Sequence, residues 1–202
     1  MTSQTFTPQA FSGAERRLTL AALMIVFLLS ALDQTIVSTA MPRIISELNG
    51  LNLYSWVTTA YLLTSTVMVP IWGKLGDIFG RKPVLMVGLT LYTLFAALCA
   101  FSTSFEMLLI ARFLTGLGAA STRVLSVSIV RDCYAGRQMA RVMSLAFIVF
   151  LATPIIAPSL GQGIMLFASW RWIFGVLSIF GLIVIAWAAV KLPETQHPED
   201  RI

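Results

Sequence analysis

The sequence predicts an all-α membrane protein with six transmembrane helices. Hydrophobic residues make up 57% of the 202 residues and charged residues 11%, which leaves too few polar side chains to cover a soluble domain of this length. The apolar residues also fall into six separate runs of about 20 residues, and a helix of that length crosses a hydrocarbon layer about 30 Å thick. Composition and spacing together therefore predict membrane spans rather than one soluble core.

The apolar runs place the helices in order along the chain. We predict spans at residues 18–41, 55–73, 84–102, 107–129, 142–164 and 172–191. Residues 1–17 then form a cytoplasmic N-terminal tail, and residues 192–202 are expected to begin a central cytoplasmic loop. No signal peptide is expected, because mixed polar residues precede the first run and no cleavage site follows a short one.

Basic residues predict which side of the membrane each helix end occupies, because Lys and Arg are enriched in cytoplasmic loops. Ten of them share the side of the N-terminus: Arg16, Arg17, Lys74, Arg81, Lys82, Arg131, Arg137, Arg141, Lys191 and Arg201. Only Arg43 and Arg171 lie at the opposite ends. This predicts a multi-pass protein of the cell (inner) membrane with both termini in the cytoplasm. Trp56, Trp170 and Trp172 lie near span ends and are predicted to be interfacial anchors.

Several function classes are disfavoured by the remaining residues. The net charge of +5 is spread between the apolar runs instead of forming one basic face, so no nucleic acid partner is expected. Cys99 lies in a span and Cys133 in a predicted polar loop, which argues against a disulfide, and His197 is the single histidine. We find no metal-ligand spacing, nucleophile–base pair or phosphate loop, and therefore predict neither a metal, a cofactor nor an enzyme.

Three ionisable residues fall inside predicted spans, namely Asp33, Arg112 and Arg123. Each costs at least about 2.5–3.5 kcal/mol in hydrocarbon and needs a partner or a water-filled cavity. Asp33 lies about 12 Å from the outer end of the first span and Arg112 about 8 Å from the outer end of the fourth, at 1.5 Å per residue. A charge pair between the two helices is therefore feasible.

Arg112 and Arg123 lie about three helical turns apart, so they share one face of the fourth helix with Gly116 and Ala119. The small residues would let a neighbouring helix or a ligand approach closely. Two interpretations stay open. Asp33 and Arg112 form a structural pair while Arg123 reaches the cytoplasmic interface, or the three residues serve proton coupling in a substrate cavity. Partial loss of water around an Asp favours its neutral form, which would suit proton exchange.

The segment Gly73–Pro83 between the second and third spans is dense in glycine and charge. We expect a tight turn of about ten residues, because glycine permits positive φ and proline suits the first turn of a helix. Asp77 can accept hydrogen bonds at a helix N-terminus, and Arg81 and Lys82 can hold a carboxylate or a helix C-terminus. We predict a conformational latch formed by Gly73, Asp77, Gly80, Arg81 and Lys82.

The fifth span contains two prolines four residues apart, Pro154 and Pro158, which predict a bend because each removes a backbone hydrogen bond. Ala157 and Gly161 form a small-xxx-small face suited to close helix packing.

These segments together resemble the major facilitator superfamily, and the resemblance covers essentially the whole chain. Gly73–Lys82 is similar to the family signature between the second and third helices. Leu32–Val37 and Arg112–Ala119 resemble first- and fourth-helix signatures of drug:proton antiporters, and Thr153–Gly163 resembles their fifth-helix signature. Thr115, Ala157 and Gln162 depart from the usual residues. Up to about residue 110 the chain resembles the fourteen-span branch and after about residue 122 the twelve-span branch. Two explanations stay open, an unusual relative of these branches or a recombined chain.

The resemblance implies an N-terminal six-helix bundle of two inverted three-helix repeats, with the first and fourth helices lining a cavity and the third and sixth facing lipid. It implies a role for Arg112 in proton coupling. The expected function is that of the N-terminal half of a proton-coupled multidrug efflux antiporter. Its expected partners are protons, a small hydrophobic or cationic drug-like substrate, the lipid bilayer, and a second six-helix half or a second copy. The alternatives are a carrier of another small metabolite, or a non-transporting fragment or artificial chain with the same fold.

Overall fold

The computed structural model describes the backbone of residues 13–192 and the side chains of residues 19–192. This part of the chain contains six long α-helices and one short 3₁₀ turn, Leu51–Leu53. The helices are α1 Gly13–Leu48, α2 Tyr54–Phe79, α3 Arg81–Ala100, α4 Phe105–Cys133, α5 Gly136–Phe167 and α6 Arg171–Lys191. The predicted tail and loop, with Arg16, Arg17, His197 and Arg201, lie outside the residues whose side chains are described.

The six predicted helices are confirmed as helices. Five of them, α1, α3, α4, α5 and α6, are long and apolar enough to cross a membrane by length and composition. α2 has 26 residues but is not among the five, since threonine and serine side chains interrupt its apolar residues. Those hydroxyls bond within the helix, for example Thr64 Oγ1 to the Ala60 carbonyl oxygen at 2.7 Å. Thr59 and Ser65 also donate to carbonyl oxygens within α2, so these three hydroxyls are satisfied without water.

The expected turn of about ten residues between the second and third spans is wrong. α2 continues to Phe79 and α3 begins at Arg81, so Gly80 is the single non-helical residue between them, with φ 101°. Packing explains the difference: a Cβ at Gly76 would lie 2.5 Å from the Leu125 side chain of α4. Glycine at this position therefore serves helix packing instead of turn formation.

The prediction that Cys133 lies in a polar loop is wrong, because Cys133 is the last residue of α4. Cys99 and Cys133 are both free and buried.

Close helix contacts run through small residues. α4 packs mainly against α2 and α3, while α1 packs against α5, α6 and α4. A Cβ at Gly116 would lie 2.7 Å from the Tyr61 carbonyl oxygen of α2, and a Cβ at Gly161 would lie 3.2 Å from Ile36 of α1. The predicted close approach at Gly116 and at the small face of α5 is therefore confirmed.

Exposed apolar side chains are most numerous on α5. They include Phe147, Leu151, Ile155 and Phe167. α3 and α6 pack against each other and also expose apolar rows, including Leu94 and Leu182. A surface of this kind suits hydrocarbon or another apolar helix and not water.

Candidate functional site

An ion pair joins α1 and α4 in the interior of the bundle. Arg112 Nη1 donates a hydrogen bond of 2.9 Å to Asp33 Oδ1. The Asp33 side chain is 0% exposed and the Arg112 side chain 3%. Such a pair is expensive to remove from water, so its geometry and surroundings determine what it contributes.

Aromatic groups surround this pair, but its hydrogen bonding is incomplete. The Arg112 guanidinium carbon lies 4.2 Å from the centre of the Tyr61 ring and 6.0 Å from that of Phe174. Asp33 Oδ2, Arg112 Nε and the hydroxyls of Tyr61 and Tyr92 are buried without a hydrogen-bond partner in the described part of the chain. Each unsatisfied buried group costs about 1–3 kcal/mol. A movement of these side chains that supplied hydrogen-bond partners would recover part of that cost.

A small cavity of about 120 Å³ reaches the arginine side of the pair. Its lining consists of Gln34, Val37, Ser38, Thr58, Tyr61, Leu62 and Arg112. Asp33, the ion-pair partner of Arg112, is not among the lining residues. The cavity therefore contacts only the arginine of the pair.

A larger cavity of about 300 Å³ lies between α1, α4 and α5 and has mostly apolar walls. We call it the α1–α4–α5 cavity; it is lined by Phe27, Ser30, Gln34, Arg123, Val127, Met143, Ala146, Phe147 and Phe150. Arg123 thus lies against a cavity, whereas Asp33 and Arg112 lie elsewhere. Gln34 lines both cavities and connects the two sites.

At the end of the bundle that carries most basic residues, Arg81 holds four helices together with its neighbour Lys82. Arg81 pairs with Asp77 of α2 and, at 3.3 Å, with Asp132 of α4. Lys82 Nζ donates to the Ala189 carbonyl oxygen at the end of α6, at 3.0 Å. The expectation that these residues hold a carboxylate and a helix C-terminus is confirmed. Gly73 lies inside α2 and Gly80 joins α2 to α3.

At the opposite end, Glu47 is the centre of a second cluster, which the sequence reasoning missed. The Trp170 indole nitrogen donates to Glu47 Oε2 at 2.7 Å, and Arg171 Nη1 lies 3.7 Å from the same oxygen. Arg171 Nη2 also donates to the Ser102 carbonyl oxygen after α3, at 3.2 Å. The available signal in the sequence was Glu47, an acid four residues after Arg43, which is one of the two arginines predicted to lie at this end.

Trp170 is fully buried, so its assignment as an interfacial anchor is wrong. Trp56 and Trp172 are more than half exposed, as anchors require.

The fifth-helix residues contact α1. Ala157 and Gly161 are buried, and Gly161 faces Ile36 and Thr39. Pro154 and Pro158 lie inside a helix that remains continuous from Gly136 to Phe167. Pro154 is exposed and Pro158 is partly buried, and neither proline lines the α1–α4–α5 cavity.

Comparison with known proteins adds family and fold. A family model described as "Major Facilitator Superfamily" matches residues 23–202. The chain is 36% identical over 184 residues to the multidrug transporter protein MdtP of Bacillus subtilis, covering 91% of this chain and 34% of the relative. It is 35% identical over 182 residues to the efflux pump dotC of Dothistroma septosporum, covering 88% of this chain and 31% of the relative.

Similarity to a solved structure at low sequence identity shows the fold of the chain and nothing further. The proton:xylose symporter XylE superimposes with a TM-score of 0.80 at 13% identity, over 92% of this chain and 46% of the symporter. The chain spans about a third of the length of the curated relatives it matches.

Proposed function

The chain belongs to the major facilitator superfamily of membrane carriers, and we propose that it supplies the N-terminal six-helix half of a proton-coupled efflux antiporter that works by alternating access. It is a multi-pass membrane protein and a carrier rather than an enzyme. The observation that carries the proposal is the buried Asp33–Arg112 pair with its unsatisfied polar neighbours. Relatives named as a multidrug transporter and an efflux pump support the direction of transport.

The proposed coupling step begins at Asp33. A proton on its carboxylate removes the negative charge that holds Arg112, and the guanidinium turns toward the cavity at Gln34 and Tyr61. The neutral carboxyl of Asp33 then carries an O–H group that can donate a hydrogen bond. The ring of Tyr61 still stabilises the arginine by a cation–π contact. Loss of the proton restores the pair. Because both groups are buried, the two states differ strongly in electrostatic energy.

We also propose that the bundle consists of two inverted three-helix repeats, α1–α3 and α4–α6. Exchange of α1 with α4, α2 with α5 and α3 with α6 converts the α2–α4 contact into the α5–α1 contact, and both are extensive. The same exchange relates Arg81–Asp132, at the start of α3 and end of α4, to Arg171–Glu47, at the start of α6 and end of α1. It also relates Lys82–Ala189 to Arg171–Ser102.

In this proposal the two clusters are the latches of the two ends of the carrier. The Arg81 cluster includes the predicted latch residues Asp77, Arg81 and Lys82, and Gly80 is the joint at which α2 and α3 change angle. Alternating access would release one cluster while the other stays closed. A second six-helix bundle, in the same protein or in a second copy, would cover the exposed apolar rows and complete the path; the chain covers 46% of the XylE chain.

Proton flux in everted membrane vesicles tests the proposal. Substrate-dependent proton release is measured for the parent, Asp33→Asn and Arg112→Ala, with a panel of hydrophobic anions, neutral compounds and cations. We expect release in the parent and at least about a 10-fold loss in both variants, because each loses a partner of the coupling pair. Glu106→Gln is the matched control, since Glu106 is an exposed acid at the start of α4.

Two results would contradict the proposal in different ways. Equal activity of the parent and both variants would remove the coupling role from Asp33 and Arg112. No proton release with any compound, in vesicle preparations shown to contain dimeric as well as monomeric chain, would reject transport by this chain. We expect activity only in vesicle preparations that contain the dimer.

A further inference from the structure

The α1–α4–α5 cavity has a volume and a lining that suit a small amphipathic molecule. Its volume of about 300 Å³ lies at the lower end of the range of small-molecule sites, roughly 300–1,000 Å³. Three phenylalanines, Phe27, Phe147 and Phe150, contribute to its walls, and the polar lining residues are Ser30, Gln34 and Arg123. An apolar body can therefore pack on one part of the wall while a polar head group meets the other.

Arg123 is the single charged residue in this lining. Among the residues whose side chains are described, it has no ion-pair partner and no hydrogen bond. It is partly buried on α4, between the buried Thr122 and the half-buried Val124. An arginine cannot lose its proton to escape this situation, so the cavity keeps one positive charge in apolar surroundings.

The described acids do not balance this charge. Asp33 is fully buried and paired with Arg112, Glu47 belongs to the outer cluster, and Asp77 and Asp132 pair with Arg81. Glu106 lies in the first turn of α4, about 25 Å along the helix from Arg123 at 1.5 Å per residue. None of these described acids lines the cavity, so a bound cation would contact the Arg123 charge but no carboxylate of the lining.

We propose that the α1–α4–α5 cavity selects amphipathic organic anions, with the apolar body against Phe27, Phe147 and Phe150 and the anionic head group on Arg123. The guanidinium presents paired N–H donors that match a carboxylate or sulfonate, and the Gln34 amide can add a further donor. This narrows the substrate class of the proposed exporter and rests on that proposed function. The proposal favours an anionic substrate over the small hydrophobic or cationic drug-like substrate expected from the sequence.

A matched pair of probes tests the charge preference directly. Pyrenebutyrate and pyrenebutylammonium share one apolar body and carry opposite charges, and their binding to the purified chain in nanodiscs is followed by pyrene fluorescence with empty nanodiscs subtracted. We expect the parent to bind the anion at least about 10-fold more tightly than the cation, as for a charge-assisted hydrogen bond in apolar surroundings. Equal affinities or a preference for the cation would overturn the proposal.

Variants then assign the preference to one residue. Arg123→Gln should lower the affinity for pyrenebutyrate at least about 10-fold and leave that for pyrenebutylammonium unchanged or higher, while Arg123→Lys keeps part of the anion preference. Arg137→Gln, at an exposed arginine in the first turn of α5, is the matched control. An equal loss for both probes in Arg123→Gln would indicate a structural role and contradict the proposal. If that variant does not fold, the two probes on the parent still decide.

Binding and transport fail separately in this design. Anion-selective binding without any substrate-dependent proton release would support the cavity's charge preference and contradict export. Proton release driven by cations, with no anion preference in binding, would support export and overturn the anion site.

Discussion

The Asp33–Arg112 pair is a buried contact whose hydrogen bonding is incomplete. The 2.9 Å hydrogen bond leaves Asp33 Oδ2 and Arg112 Nε without partners. Either charge alone in this interior would be costly, because the desolvation penalty of a single buried ion is not offset by a partner. The pair is therefore sensitive to loss of one member and much less sensitive to loss of both.

This sensitivity gives a prediction at the residue scale. Asp33→Asn should lower stability by about 3–5 kcal/mol, since it leaves the Arg112 charge buried without its partner. Asp33→Asn/Arg112→Gln should be less destabilised than the sum of the two single variants. The measurement is the apparent Tm from helical circular dichroism in one detergent at one scan rate, because membrane proteins commonly unfold irreversibly. Additive effects in this cycle would show that the two residues are not coupled.

The joint between α2 and α3 shows how two helices can meet through a single residue. Gly80 has φ 101° and ψ 153°, a backbone region that is essentially restricted to glycine. α2 ends and α3 begins on either side of it, and Arg81 immediately pairs with residues of α2 and α4. The backbone conformation and the ion pairs therefore depend on the same position.

The prediction at the element scale compares two glycines of the same signature. Gly80→Ala should cost about 1–3 kcal/mol, because alanine is strained in this backbone region. Gly73→Ala should be neutral or stabilising by up to about 1 kcal/mol, since Gly73 is inside a helix and its nearest neighbour to a new Cβ is the Val124 side chain at 3.7 Å. Apparent Tm values under identical conditions check both. Similar effects at the two positions would contradict the special role of Gly80.

The whole molecule has two charged clusters at opposite ends and an apolar girdle between them. The cluster of Asp77, Arg81 and Asp132 lies at the end with most basic residues, and the cluster of Glu47 and Arg171 lies at the other. The positive-inside rule assigns the first end to the cytoplasm. This orientation is a proposal that labelling can decide.

Cysteine labelling provides the prediction at the scale of the whole molecule. In a background with Cys99→Ala and Cys133→Ala, Thr103→Cys between α3 and α4 and Ala135→Cys between α4 and α5 both place a thiol at an exposed position. A membrane-impermeant maleimide should label Thr103→Cys in intact cells and Ala135→Cys only in everted vesicles. The reverse pattern would invert the orientation, and labelling of both from one side would show that α4 does not cross the membrane.

The amino-acid sequence was sufficient for the helices and for part of the site. The apolar runs predicted six helices because each segment must satisfy its own backbone and bury or expose its own side chains, which are local requirements. Depth along two helices was enough to predict that Asp33 and Arg112 can meet. The segment around Gly73–Pro83 was misjudged because its glycines carry a turn signal, while the contact of Gly76 with Leu125 that keeps it helical is not local.

What the sequence by itself determined is the membrane class, the number of helices, the feasible ion pair and the family resemblance, because these follow from composition, periodicity and contiguous motifs. Only the tertiary structure decided which partners meet: Asp132 with Arg81, Glu47 with Trp170, and Arg123 with an apolar cavity that Asp33 does not line. The physical reason is that a charge in a helix has a depth and a face within its own segment, but its partner is determined by how neighbouring helices rotate and pack.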